Sequence, residues 1–298
     1  MGNRAIWPSG DPEKHDSIGV RMEPVYRLAG LTKIFDGTLT AVKGVDLKIH
    51  PGEKVAVIGP SGAGKTTLFR LLNLTVRWTS GSLWIGGREV GALHGARLRE
   101  VRRRIGTVYQ QHNLVPRLRV IHNVLAGRLG AWSLPQALRS LLRPREEDVR
   151  SAHQALAQVG IPEKLWWRTD ELSGGQQQRV AIARVLLQNP EVILADEPVS
   201  SVDPTLAHGI VKLLVELCSG FHKTLVMNLH SVDLALAFFP RVIGFRDGQV
   251  AFDRSPAEIS DDLLTDLYAG RMAGLSVQDS PHGVAEPVRG GTPIFRPQ

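Results

Sequence analysis

Apolar and polar residues alternate near the start of the chain and later form unbroken runs. The segments "VYRLAGLTKIF" and "LTAVKGVDLKI" alternate on either side of Asp36-Gly37, which predicts two strands joined by a turn. The next segment, "EKVAVIGP" (53–60), carries four consecutive apolar residues, as a strand buried on both faces does. A glycine-rich stretch and the helically spaced leucines of "KTTLFRLLNL" follow it. The pattern therefore predicts the order strand, loop, helix.

The second half of the chain predicts further alternation of helices and strands. "PREEDVRSAHQALAQVG" (144–160) has helical apolar spacing, with Pro144 suited to the first turn and Gly160 to the C-terminal end. Strands that alternate with helices indicate an α/β core with a mostly parallel sheet. The elements predicted after this helix are the helix "QQQRVAIARVLLQN" ended by Pro190, the strands "EVILADEP" (191–198) and "KTLVMNLH" (223–230), and the hairpin "RVIGFRDGQVAFD" (241–253).

Composition divides the chain into a folded region and two tails. Residues 1–22 and 271–298 are polar, contain proline and glycine, and have no apolar periodicity, so we expect flexible extensions. Residues 23–270 form the predicted folded domain, in which the segment of about 111–172 is mainly helical. The single cysteine, Cys218, excludes an internal disulfide and is interpreted as a packing residue.

Charge and hydropathy narrow the class of protein. No segment approaches the roughly 18 to 20 apolar residues that a membrane-spanning helix needs. The net charge is +7, and the densest basic run is "RLREVRRR" (97–104). This run fits either a solvated helix face or a nucleic-acid contact, but no aromatic residues interleave with its arginines as a base-stacking surface requires. We therefore expect no nucleic-acid partner.

The glycine-rich stretch has the composition and context of a phosphate-binding loop. In Gly59-x-x-x-x-Gly64-Lys65-Thr66 the glycines expose backbone N–H groups, and the helix start adds partial positive charge. Lys65 supplies a full charge to the β- and γ-phosphates, and the Thr66 hydroxyl suits Mg²⁺. The predicted nucleotide-binding residues of this loop are Gly59, Pro60, Ser61, Gly62, Ala63, Gly64, Lys65, Thr66 and Thr67.

Two acids end the apolar strand in "VILADE". Asp196 and Glu197 follow four apolar residues, at the carboxyl end of a predicted core strand. In parallel sheets that end lies beside the phosphate loop. We therefore expect Asp196 to hold Mg²⁺, directly or through water, and Glu197 to polarise an attacking water.

A third motif identifies a family. "LSGGQ" (172–176) stands just before a helix, and with the two motifs above it makes the chain resemble the ATP-binding subunit of an ABC transporter. The resemblance implies a P-loop NTPase core of the ABC ATPase type, with an antiparallel β-subdomain, an inserted helical subdomain, and ATP and Mg²⁺ as ligands. It also implies a head-to-tail homodimer, in which each ATP lies between the phosphate loop of one copy and the signature of the other. The signature residues expected to contact ATP are Ser173, Gly174, Gly175 and Gln176.

The remaining family positions are also present. The resemblance implies that Phe35 stacks on adenine and that Gln110, in "VYQQHNL", contacts Mg²⁺ and the transport partner. Asp203, in "SSVD", matches the D-loop, although Val202 stands where the family usually has leucine. His230, in "NLHSVD", matches the histidine that contacts the γ-phosphate, so it joins Lys65 and Glu197 as a predicted catalytic residue.

Longer segments of the sequence favour one subfamily. "QQHNLVPRLRVIHNVLAGRLG" (110–130) and "LHSVDLALAFFPRVIGFRDGQV" (229–250) are similar to phosphonate-import ATPases. That similarity implies a peripheral subunit on the cytoplasmic face of a bacterial inner membrane. The subunit would power import of phosphonate, or a related organophosphorus anion, through separate permease subunits served by a periplasmic solute-binding protein. The alternatives are a polar amino acid importer, a lipid or lipoprotein exporter, and a soluble ABC protein without a transport role.

Overall fold

The computed structural model describes residues 23–199 and 203–269. The two predicted tails and residues Ser200, Ser201 and Val202 of the D-loop motif lie outside the described residues. The strands in chain order are β1 (Tyr26–Phe35), β2 (Leu39–Ile49), β3 (Lys54–Ile58), β4 (Ser80–Ile85), β5 (Arg88–Glu89), β6 (Ile105–Tyr109), β7 (Val192–Asp196), β8 (Thr224–Asn228), β9 (Arg241–Arg246) and β10 (Gln249–Arg254). The helices are α1 (Lys65–Leu72), α2 (Gly95–Arg103), α3 (Val120–Leu125), α4 (Leu134–Leu142), α5 (Glu146–Gln158), α6 (Gly174–Gln188), α7 (Pro204–Gly220), α8 (Val232–Phe238) and α9 (Asp261–Tyr268).

A small antiparallel sheet begins the fold, with the strand order β2-β1-β4-β5. The predicted turn between β1 and β2 is confirmed, because Asp36 and Gly37 both have positive φ, at 49° and 73°. The register of this pair shifts at several points along β1, so the strand is irregular rather than evenly alternating. Phe35 is the last residue of β1 and stands at the end of this sheet.

The larger sheet has the order β10-β9-β3-β8-β7-β6, with β9, β3, β8, β7 and β6 parallel and β10 antiparallel at one edge. Its register aligns the carboxyl ends of four strands: Tyr109 pairs with Asp196, Asp196 with Asn228, and Asn228 with Val57. The residues that follow these four therefore emerge along a single edge. That edge carries the candidate site.

The central strand β3 is buried on both faces, as its apolar run predicts. Val55 and Val57 belong to the apolar cluster shared with the small sheet and α1. Ala56 and Ile58 belong to the second cluster, which includes α3, α5, α6 and α7. The sheet is therefore covered on both sides, which confirms the predicted α/β class.

The segment between β6 and α6 contains α3, α4, α5 and short 3-10 turns, and α3 and α5 both pack against α6. The predicted helix of residues 144–160 is α5, and it ends next to Gly160, which has a φ of 77°. The prediction that Pro144 lies in its first turn is wrong, because Pro144 precedes the N-cap. The helix begins at Glu146, because Arg145 is its N-cap and the Arg145 N–H donates to the Asp148 carboxylate.

Cys218 lies on α7 and is 1% exposed. Burial raises the pKa of its thiol to about 12, because the thiolate would lose its water. The packing role predicted for it is therefore confirmed.

Candidate nucleotide-binding site

The loop between β3 and α1 contains three glycines with positive φ, and two of them leave no room for a side chain. Gly59, Gly62 and Gly64 have φ values of 148°, 83° and 99°. A Cβ on Gly64 would lie 2.0 Å from the carbonyl oxygen of Ala41, and one on Gly59 would lie 2.0 Å from that of Phe245. Side chains at these two positions would collide with neighbouring backbone, so the loop can keep this path only with glycine.

Lys65 opens α1 directly after this loop. Its side chain is almost fully buried, and its Nζ donates to the carbonyl oxygens of Gly59, at 2.6 Å, and Pro60, at 2.9 Å. The ammonium group is thus held across the loop rather than pointing into solvent. The N-cap Gly64 contributes no side-chain cap to the helix start. Positive charge and helix dipole therefore act at the same place.

The acidic pair lies at the same edge of the sheet as the phosphate loop. Asp196 ends β7, and Glu197 follows it with a φ of 51°, an uncommon conformation for a residue other than glycine. The backbone N–H of Glu197 donates to the Asn228 carbonyl at 3.2 Å. This bond joins β7 to β8 one residue beyond the regular strand and fixes where the Glu197 side chain begins.

Asn228 is a site residue that the motifs did not reveal. It is completely buried at the end of β8, and its Nδ2 donates to Asp196 Oδ1 at 2.8 Å and to Glu197 Oε1 at 3.5 Å. Among the described residues its Oδ1 has no hydrogen-bond partner. The available sequence signal was a single amide at the end of the apolar run "TLVM".

Glu197 also contacts the predicted histidine. His230 Nε2 lies 2.7 Å from Glu197 Oε1, with the His230 side chain about half exposed and that of Glu197 largely buried. Burial raises the pKa of Asp196, and the hydrogen bond from Asn228 partly opposes that shift. A carboxylate in this setting is stabilised in its charged form by a cation.

The phosphate loop, Lys65, Glu197 and His230 meet in one cavity of about 640 Å³, whereas Asp196 and Asn228 are not among its lining residues. It is lined by Phe35, Leu39, Thr40, Ala41, Ser61, Gly62, Gly64, Lys65, Thr66, Thr67, Glu197, His230, Asp247 and Gly248. The contribution from the hairpin turn of β9 and β10, Asp247-Gly248, was not predicted. The predicted loop residues Gly59, Pro60 and Ala63 are not among these lining residues. Gln110 is exposed directly after β6, beside the strand that carries Asp196.

The signature residues lie elsewhere. Ser173 is the N-cap of α6, where its Oγ accepts the Gln176 N–H at 3.4 Å and its own N–H donates to Gln176 Oε1 at 3.1 Å. Asp203 is the N-cap of α7 and accepts the Leu206 N–H at 3.0 Å. No residue of 173–176 is among the described residues that line the cavity.

Comparison with known proteins decides the family. The protein-family model described as ABC transporter matches residues 42–200. The chain belongs to the ABC transporter family. ABC ATPases bind ATP.

Curated relatives and solved structures extend the likeness over most of the chain. "Phosphonates import ATP-binding protein PhnC" of Thiobacillus denitrificans is 48% identical over 241 residues, which cover 81% of this chain and 91% of that protein. The protein of the same name from Lactobacillus acidophilus is 44% identical, over 83% of this chain and 96% of that protein. A dimeric ATP-binding cassette in a post-hydrolysis state, bound to ADP and Pi, has a TM-score of 0.67 at 34% identity, over 78% and 98% of the two chains. A Clostridium perfringens subunit described as part of the ABC transporter complex cbiONQ has a TM-score of 0.71 at 27% identity, over 85% and 98%.

Proposed function

We propose that this chain is the ATP-hydrolysing subunit that powers phosphonate import through a separate membrane permease. The observation that carries the hydrolytic role is the cavity in which the phosphate loop faces the Glu197–His230 pair. The substrate class follows from relatives at 42–48% identity, whose names specify phosphonate import. No comparison favours an amino acid importer, an exporter or a protein without a transport role.

ATP fits the cavity in size and chemistry. The glycine-lined loop offers backbone N–H groups to the phosphates, and Lys65 adds a cation held by two carbonyls. Phe35 lines the same cavity, where its ring can stack on adenine, and Lys33 Nζ lies 4.7 Å from that ring. The triphosphate and the base would therefore occupy opposite ends of one cavity.

The oxygen donors around the loop suit Mg²⁺. Thr66 offers a hydroxyl, Asp196 a carboxylate and Gln110 an amide oxygen, the hard ligands that this ion prefers. Asp196 is restrained by Asn228, so a cation would meet an oriented carboxylate. When bound, the ion would neutralise charge that develops on the phosphates.

Glu197 would polarise the attacking water. Asn228 Nδ2 and His230 Nε2 both contact its Oε1, at 3.5 Å and 2.7 Å. His230 Nε2 contacts Glu197 Oε1 and lines the same cavity, and we infer that it also contacts the γ-phosphate of bound ATP. Lys65 would then stabilise the charge that develops as the terminal phosphate departs.

The second half of the ATP contact would come from another copy of the chain. A Cβ at Gly174 would have nothing within 4 Å, so no described part of this chain requires glycine at that position. ATP bound to the phosphate loop of a second copy could occupy the space beside Gly174 at the exposed start of α6, and a side chain there would obstruct it. One similar cassette is dimeric, and we infer a head-to-tail homodimer here.

The membrane part of the transporter would be separate. None of the helices in residues 23–199 and 203–269 is long and apolar enough to cross a bilayer. We infer permease subunits that receive this chain at the cytoplasmic face of a bacterial inner membrane. A periplasmic solute-binding protein would deliver the phosphonate to them.

The hydrolytic role is tested by Glu197→Gln. We expect ATP turnover to fall more than about 100-fold, because the variant retains the shape of the side chain but loses the base. The ATP-bound dimer should then accumulate in size-exclusion chromatography. Glu216→Gln, an exposed change on α7, should behave as wild type. Unchanged turnover in Glu197→Gln would remove Glu197 from this role.

The substrate class needs a separate test. Cells that lack their own phosphonate uptake should grow on methylphosphonate as sole phosphorus source when they express this chain with its permease and binding protein. The Lys65→Ala variant should fail to support that growth. Growth on phosphonate without the chain, or rescue of amino acid uptake instead, would contradict phosphonate import.

A further inference from the structure

Helix α4 presents a row of leucines to solvent. Leu134, Leu138, Leu141 and Leu142 are 82%, 57%, 44% and 78% exposed. At about 100° per residue these four side chains share an arc of roughly 100°. Ser140 lies outside that arc and is buried against the protein. The helix therefore places its most apolar face outward, the reverse of a helix that packs on a core.

The other side of α4 is basic. Arg139 lies in the helix and Arg143 is its C-cap, and neither guanidinium has a hydrogen-bond or ion-pair partner within the described residues. The helix itself contains no acidic residue. Unpaired arginines beside exposed leucines give α4 the composition of a helix that lies in a lipid interface.

A cleft of about 200 Å³ gathers these arginines. Its lining includes Arg128, Arg139, Arg143 and Arg145, together with Glu147 and Asp148. Asp148 is already engaged, because Arg128 Nη1 lies 3.2 Å from its Oδ1. Four arginines against two acids leave the cleft positive, and guanidinium groups are suited to phosphate oxygens.

We propose that α4 and this arginine cleft form a binding surface for an anionic phospholipid membrane. The leucines enter the boundary between headgroups and acyl chains, and the arginines contact lipid phosphates. A row of leucines that protrudes from a convex helix suits a fluid surface, and the positive cleft complements anionic headgroups. With nine residues, α4 lies along the bilayer and does not cross it.

This surface is separate from the nucleotide site. No residue of α4 lines the cavity that holds the phosphate loop. Membrane contact at α4 would orient the helical segment relative to the bilayer independently of ATP. Substitutions in α4 should therefore leave basal ATP hydrolysis unchanged, which separates this test from that of the proposed function.

The apolar contribution is tested by flotation of the full chain with 100-nm vesicles of 70% phosphatidylcholine and 30% phosphatidylglycerol. We expect Leu138→Gln/Leu142→Gln to lower the partition coefficient about tenfold, because two leucines no longer enter the interface. The matched control is Val115→Gln/Leu118→Gln, which changes two exposed apolar residues outside α4 and should float as wild type. Circular dichroism should be unchanged in both.

A second vesicle-binding experiment tests the contribution of the arginines. Arg139→Gln/Arg143→Gln should lose most of the difference between anionic vesicles and pure phosphatidylcholine vesicles, because binding to the anionic headgroups depends on these charges. Arg97→Gln/Arg150→Gln removes two exposed charges elsewhere and should retain that difference.

Four outcomes would overturn the assignment. Wild-type protein that fails to float, or a Leu138→Gln/Leu142→Gln variant that floats like wild type, would exclude a membrane surface. Displacement from vesicles by 10 mM inorganic phosphate would indicate a site for a free oxyanion. If the α4 variants still bound vesicles but no longer captured the permease in detergent, α4 would be a contact surface for a protein.

Discussion

Two helices of this protein begin at glycine-marked motifs, and their starts are built in opposite ways. Before α1, Gly59 and Gly64 lie so close to the Phe245 and Ala41 carbonyls that the chain itself requires glycine. Before α6, Ser173 caps the helix in the ordinary manner and Gly174 has open space around it. The first start is complete within one copy of the chain. At the second, Gly174 is exposed with no atom near its Cβ position, whereas a Cβ on the buried Gly175 would lie 2.6 Å from the Leu206 side chain.

The difference teaches where a glycine requirement comes from. A glycine that the surrounding chain demands contributes to folding, whereas a glycine with open space around it and an ordinary φ is not demanded by the described chain. The two starts should therefore respond differently to the same added methyl group. Four substitutions test that contrast, and their expected effects on the free energy of unfolding decrease from Gly64→Ala to Gly174→Ala.

Gly64→Ala should have the largest effect. The new Cβ would meet the Ala41 carbonyl at 2.0 Å in a conformation with φ of 99°. We expect the free energy of unfolding to fall by about 3 kcal/mol or more, from strain and overpacking together. Urea denaturation measures this, and nucleotide binding should be lost as well. Gly62→Ala, which meets no neighbour but keeps the positive φ, should cost less.

Asn228→Ala should come second. It removes the buried amide that holds Asp196 and Glu197 opposite the start of α1, an arrangement that α6 lacks. We expect a loss of about 2 kcal/mol, typical of a broken buried hydrogen bond to a charged group, together with slower ATP hydrolysis. A double-mutant cycle with Asp196→Ala should give a coupling energy well above zero. Additive effects of the two substitutions would show that the bond does not orient Asp196.

Ser173→Ala should have a smaller effect, because it removes only a helix cap. Without the Oγ acceptor, the Gln176 N–H loses its partner at the start of α6. We expect about 1 kcal/mol of destabilisation by urea denaturation. Ser231→Ala, which removes the equivalent cap of α8, serves as the comparison. A cost far above 1 kcal/mol at Ser173 would mean that this start is needed for folding, as that of α1 is.

Gly174→Ala should change stability least, by less than about 0.5 kcal/mol, because the added methyl meets no atom of the chain. In a Glu197→Gln background it should nevertheless reduce the ATP-dependent dimer seen in size-exclusion chromatography. An intact dimer would contradict a role for this glycine in contact with the second copy. A large loss of stability would show that folding requires Gly174, as it requires Gly64.

The sequence predicted the parts of the site whose residue types are diagnostic by themselves. The apolar run of β3, the loop that follows it and the acids after β7 could be ordered because strand ends in a parallel sheet share an edge. Asn228 could not be singled out, because one amide after an apolar run is common and its meaning depends on the pairing of β8 with β7. Pro144 was misplaced for a local reason, since Arg145 and Asp148 form the cap that sets the start of α5.

The backbone of Glu197 has a consequence for the evolution of this protein. A glutamate with φ of 51° is less stable there than glycine or asparagine would be. Repeated selection for heat resistance alone, with no demand for turnover, should therefore replace this glutamate early. A lineage that keeps it under such selection would reveal that hydrolysis is still required.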